Sequence, residues 1–131
     1  MRPENWPEAL DDYIDKARST PFAWGQNDCV SFACGWHQLM TRRDVYAAFR
    51  GTYDTDNEAM RVMIKHGVNG MEDAGRFLFG EPRPGNTHIQ RGDIAYAQGA
   101  LGICLGATGA FLNEEGLSFI RLSDFELGWS V

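Results

Sequence analysis

The chain has 131 residues and three cysteines, carries a formal net charge of −6, and is 44% hydrophobic and 23% charged. That length and apolar content suit one packed domain held without metal or disulfide, and they exclude a disordered chain. The acidic balance and the shortness of basic clusters such as Arg42-Arg43 exclude a nucleic-acid binder; no apolar run approaches the ~20 residues that span a bilayer, and the polar start "MRPENWPEALDDY" is unlike a signal peptide.

Leu10, Tyr13, Ile14 and Ala17 fall at helical spacing and predict a first helix over 6–18, with Pro7 in its first turn and Ser19-Thr20-Pro21 stopping it. A loop, "PFAWGQN", follows. Asn27 or Asp28 is then placed to cap a second helix running from Cys29 to about Met40, with Phe32, Ala33, Trp36, Leu39 and Met40 as its apolar stripe. In the middle third, "RRDVYAAFRG" reads as a short helix ended by Gly51, "DTDNEAMRVMIKHG" as another ended by Gly67, and 71–79 as a third closed by Gly80. Beyond "EPRPGN" the segments turn short, β-branched or aromatic, which predicts strands near 93–98, 100–105, 109–113, 117–122 and 127–131. Helices followed by strands make an α+β domain with an antiparallel sheet. The last segment, "FELGWSV", reads as an exposed strand edge open to another chain. Three cysteines without Cys-x-x-Cys spacing predict reduced thiols, no disulfide framework, no zinc site and no cofactor.

Cys29 is the residue most able to do chemistry. A thiol at a helix N-terminus meets free N–H groups and the positive end of the dipole, which favour thiolate, while Gly25 just upstream permits a sharp turn. The competing reading is a small buried hydrophobe, as free cysteines commonly are. Asp28 reads as an N-cap and Asp93 as a turn-closing residue, though both are chemically tempting; Arg91 could pair with Asp93 or bind a carboxylate, but nothing in the sequence aims it.

These residues invoke a family. "FAWGQNDCVSF" resembles the Y-x-W-G-G…D-C-S-G-L signature around the catalytic cysteine of the NlpC-type papain-like cysteine peptidases, which cut peptide bonds in bacterial cell walls. "RGDIAY", 91–96, is similar to that family's G-D-L-V strand, and "ALGICLG", 100–106, to its H-V-G-I-Y-L-G strand. The resemblance implies a papain-like α+β domain over 1–131, with a cysteine-bearing helix packed on a small antiparallel sheet and a helical insert at about 42–80. More particularly, the short "WG-x-x-DC" form and the "aLGIclG" strand resemble a group of small NlpC-related proteins encoded in phage and prophage tail modules. That implies a host cytoplasm before assembly and a virion tail afterwards, with other tail proteins or peptidoglycan peptides as partners and a binding cleft near Trp24, Gly25, Asp28 and Asp93.

The departure from the enzyme pattern lies at Ala100, on which the family's catalytic histidine falls; alanine has no proton to exchange. His37 lies eight residues beyond Cys29 on the same helix, about 12 Å along its axis, too far to serve. His66 reads as a helix C-cap and His88 as a loop residue, and a loop can swing inward to offer a base. On alternation, Ala100, Gly102, Cys104 and Gly106 share a small face, which in the family turns toward the cysteine helix and would bring Cys104 near Cys29. Three functions follow: a tail-tip assembly component that keeps the fold without the chemistry, a thiol peptidase or amidase using His88 or His66, and a peptide-binding module that holds without cutting.

Overall fold

A computed structural model describes residues 2–85 and 87–131. Four helices come first: α1 (Trp6–Ser19), α2 (Cys29–Thr41), α3 (Asp56–Lys65) and α4 (Met71–Phe79). Six strands follow, β1 (Arg83–Pro84), β2 (Ile94–Ala97), β3 (Ala100–Cys104), β4 (Thr108–Asn113), β5 (Gly116–Arg121) and β6 (Leu127–Trp129), in one antiparallel sheet of spatial order β1-β6-β2-β3-β4-β5. The α+β class and the antiparallel sheet expected from the segregated pattern are therefore present. No helix among the described residues is long and apolar enough to cross a membrane.

The helices form where the sequence says they should. α1 buries Leu10, Ile14 and Ala17 on one face and ends where Thr20, preceding Pro21, turns extended. α2 is held at its head by a reciprocal capping box. Asp28 accepts from the Ser31 N–H at 2.8 Å, and Ser31 Oγ accepts from the Asp28 N–H at 2.8 Å. Its Phe32, Ala33, Trp36 and Met40 are buried, and the fully enclosed Trp36 donates its indole N–H to the Gly92 carbonyl at 2.8 Å. Burying that ring contributes about 3 kcal/mol, and the bond spares its polar atom the penalty of isolation. α3, capped by Thr55, buries none of its side chains and lies on the outside. In α4 the missing Cβ of Gly75 leaves the space that the Trp129 ring occupies.

Ile94, Leu101, Ile103, Ala110, Leu112 and Trp129 meet α1, α2 and α4 in the main core. The opposite face carries Ala95, Ala97 and Cys104, roofed by Ile89, Phe111 and Phe125. This corrects the expected placement of the small face. Leu101 and Ile103, not Cys104, face the cysteine helix. The small residues make room for aromatic rings of the sheet's own side, since a Cβ at Gly102 would strike Phe111 and one at Gly109 would meet Phe125. Gln98 and Gly99, at φ 50° and 77°, make the two-residue hairpin between β2 and β3 and so set Ala97 opposite Ala100.

Three further expectations need correction. The segment 45–50 is turn rather than helix; its backbone bonds, from Ala47 N–H to Asp44, from Phe49 and Arg50 N–H to Tyr46 and from Thr52 N–H to Phe49, are isolated turns, because burying Tyr46 and Phe49 fixes it more strongly than helix propagation does. β1 escaped the pattern reading, being two residues long with a proline on the sheet's edge. The C-terminal segment is no free edge: β6 lies between β1 and β2, and Trp129 is buried with its indole N–H on the Gly80 carbonyl at 2.8 Å.

Candidate functional site

At the head of α2, the chain between Pro21 and Asp28 is folded into a tight loop. Ala23 and Asn27 exchange backbone bonds at 3.0 and 2.8 Å, and the Asn27 amide donates to the Thr20 and Pro21 carbonyls. Gly25 takes a φ of 83°, and a Cβ there would strike the Tyr53 carbonyl oxygen, so this glycine is required both by dihedral and by space. The loop stands Phe22 and Trp24 edge to face, 5.0 Å apart, on one side of Cys29.

Asp28, 2% exposed, is the hub of the region. Beyond its capping bond, its Oδ2 accepts from the Gly25 N–H at 2.9 Å and from the Tyr53 hydroxyl at 2.6 Å. The Tyr53 oxygen lies 2.8 Å from that of Tyr46, which donates in turn to the Gly25 carbonyl at 3.3 Å. Burial pushes the Tyr46 hydroxyl up to about 12 and that of Tyr53 higher still, so both remain protonated donors. No cation pairs with Asp28 among the described residues.

The Cys29 thiol is only half-buried as a residue, and it is pushed up to about 11 by desolvation first and by the Asp28 carboxylate second; the N–H groups of Leu101, Cys29 and Val30 offset part of this. Burial and a neighbouring anion thus outweigh the helix terminus that favours thiolate. The thiol also donates to the Met71 thioether, at 3.8 Å. Cys29 opens onto a pocket of about 390 Å3 whose lining also includes Phe22, Trp24, Ala100, Leu112 and Glu114-Glu115 at the β4–β5 turn. Ala100, at the first position of β3, reaches both this pocket and the edge of the second apolar cluster.

The remaining candidates lie elsewhere. Asp93 is buried beneath the chain termini, where it accepts from the Arg2 guanidinium at 2.8 Å, the Gln90 N–H at 3.0 Å and the Val131 N–H at 3.2 Å; it does not line the Cys29 pocket. Arg91 pairs with Asp11 at 2.9 Å instead of with Asp93. Cys104 sits on the far face of the sheet, its sulfur against the Gly106 backbone, and not beside Cys29. His88 occupies an exposed turn at φ 81°, outside the lining of the Cys29 pocket. His66 caps α3 and stacks on Phe49 at 5.0 Å, with its Nδ1 2.9 Å from the Val62 carbonyl. His37 lies within α2 against Phe79, its Nδ1 on the Thr41 hydroxyl at 3.2 Å. Sequence reasoning missed Tyr46, Tyr53 and Met71, whose approach depends on the middle third folding back. It also missed Glu114-Glu115, whose one local signal is an acidic pair at a glycine turn.

Set against known families, residues 1–131 match DUF6950, a domain of unknown function, and the chain belongs to that family. Searches of curated proteins and of solved structures find no match.

Proposed function

We propose that the chain is an NlpC-type papain-like domain that has lost its peptidase chemistry and serves as an assembly component of a phage or prophage tail, near the tail tip. It is made in the host cytoplasm and ends in the particle. The motif resemblance and a cysteine at the head of a helix packed on an antiparallel sheet support the family reading. One observation carries the loss of chemistry: the Cys29 thiol is held protonated beside a buried carboxylate, and all three histidines are engaged or exposed away from its pocket. A thiol peptidase needs an imidazole or equivalent to take the thiol proton and later return it to the leaving amine.

Deletion of the gene in the phage or prophage that encodes it, followed by electron microscopy and mass-spectrometric inventory of purified particles, tests this reading. The expected result is the protein in wild-type tails and defective tails without it. Normal infectious particles lacking the protein would overturn the assembly role. Hydrolysis of cell-wall peptides by the purified chain, abolished by Cys29→Ala, would overturn the loss of chemistry.

A further inference from the structure

We propose that the open pocket at the head of α2 is a socket for a single basic side chain, lysine or arginine, carried on a segment of a partner protein; that the partner belongs to the tail rests on the assembly reading above. The pocket has the two parts such a side chain requires. Its walls are apolar and aromatic: Phe22 and Trp24 present ring surface, and Leu112 and Ala100 supply aliphatic surface. An alkyl stem packs against walls of this kind, and a cationic head is attracted to an indole face.

Its mouth is acidic. Glu114 and Glu115 are exposed at the β4–β5 turn and form no ion pair among the described residues, whereas Asp11, Asp44, Glu72 and Glu81 are all taken by arginines. The turn is fixed rather than floppy. Asn113 accepts the Glu115 N–H at 2.9 Å and its amide donates to Ser118 Oγ at 3.2 Å, while Gly116 supplies the positive φ of 114°. Among the described residues no lysine, arginine or histidine lines the pocket, and no cation pairs with Asp28, the residue before Cys29, so the side-chain charges beside the pocket are all negative. An acidic segment is repelled there, and a purely apolar one gains nothing from the two glutamates.

The test uses the full chain, labelled with 15N, and five blocked tripeptides of the form Gly-X-Gly with X as Lys, Arg, Gln, Leu or Glu. Lysine and arginine peptides should shift the Trp24 indole and the Cys29, Ala100 and Glu115 amide signals, with weakening by salt. The double variant Glu114→Gln/Glu115→Gln, altered only on an exposed turn and so expected to fold, should lose about tenfold in affinity, and Trp24→Leu a few-fold. Equal or tighter binding of the Gln, Leu or Glu peptide would overturn the proposal. So would wild-type affinity in the double variant, or no shift with the lysine peptide at tens of millimolar. A particle inventory separates this from the assembly reading: wild type present in tails and the double variant present at equal occupancy removes the socket as a tail contact while leaving the assembly role intact. Wild type absent from tails removes the assembly role, and the peptide titration alone then decides the socket.

Discussion

Two buried aspartates anchor this molecule in opposite ways. Asp28 and Asp93 are 2% and 5% exposed, and each accepts three or more hydrogen bonds, which is how a buried carboxylate is made tolerable. Asp93 also has a cation. The Arg2 guanidinium reaches its Oδ1, the Arg91 carbonyl and the Val131 carbonyl at once, so one charge pair sews both ends of the chain to the start of β2. Asp28 has only neutral donors, two backbone N–H groups and a tyrosine hydroxyl. Its charge is therefore not cancelled locally, and it is felt by the next residue, where it helps to hold the Cys29 thiol protonated. A paired buried charge is a fastener; an unpaired one also sets the chemistry of its neighbour.

The largest expected effect breaks the Asp93 side. Removing 127–131 takes away β6, which lies within the sheet, together with the Trp129 ring and the Val131 N–H bound to Asp93. The truncated chain should show no cooperative urea transition and no native near-ultraviolet circular dichroism, because β1 and β2 would lose their shared partner and the core a large aromatic. A folded truncation with normal cooperativity would mean that β6 is an appendage after all.

Substitutions at the two carboxylates sharpen the contrast. Asp28→Ala strands the Gly25 and Ser31 N–H groups and the Tyr53 hydroxyl, and should cost about 3–5 kcal/mol by urea denaturation. Asp28→Asn keeps much of that bonding and removes the charge. The midpoint of Cys29 alkylation against pH should fall from about 11, remaining above the ordinary thiol value because burial, the larger cause, is untouched. Asp93→Asn should cost about 1–2 kcal/mol, with no movement of the Cys29 midpoint. Equal effects of the two asparagine variants on Cys29 would dissolve the distinction between them.

Most of the secondary structure was legible in the sequence because it is written locally. The 3.6-residue stripe of α1, the Asp28-x-x-Ser31 box at the head of α2 and the glycines closing α4 and the hairpins need no tertiary partner to be recognised. What was illegible depends on distant residues. The segment around Tyr46 and Phe49 resembles a helix until its aromatics are drawn into the core, and nothing near Tyr53 announces that its hydroxyl ends on Asp28. Face assignment in β3 failed for a related reason: alternation divides Leu101 and Ile103 from Gly102 and Cys104 but does not say which set meets α2. At the site, Trp24 and Cys29 lie close in sequence and Ala100 joins them in the pocket lining, while the acidic lip comes from a turn ten or more residues further on.

The smallest expected effect concerns Ala100, which lines the pocket with Cys29 and on which the proposed NlpC resemblance would place a histidine. An imidazole placed there adds a cation near the thiol below its own pKa and opposes the Asp28 carboxylate, so thiolate becomes easier to form. Ala100→His should therefore raise the rate of Cys29 alkylation at pH 7 a few-fold to about tenfold, in line with a shift of up to a unit in the thiol. Cys29→Ala in the same background should abolish the signal, since Cys34 and Cys104 are buried. On the proposed reading, hydrolysis of cell-wall peptides is expected from neither the natural chain nor this variant. A productive imidazole must be oriented by a third group; the buried Asp28 is already committed to Gly25, Ser31 and Tyr53, and Glu114 and Glu115 are exposed at the pocket's mouth. An unchanged alkylation rate would show that position 100 does not address the thiol. Recovered hydrolysis would show that only one residue separates this chain from an enzyme.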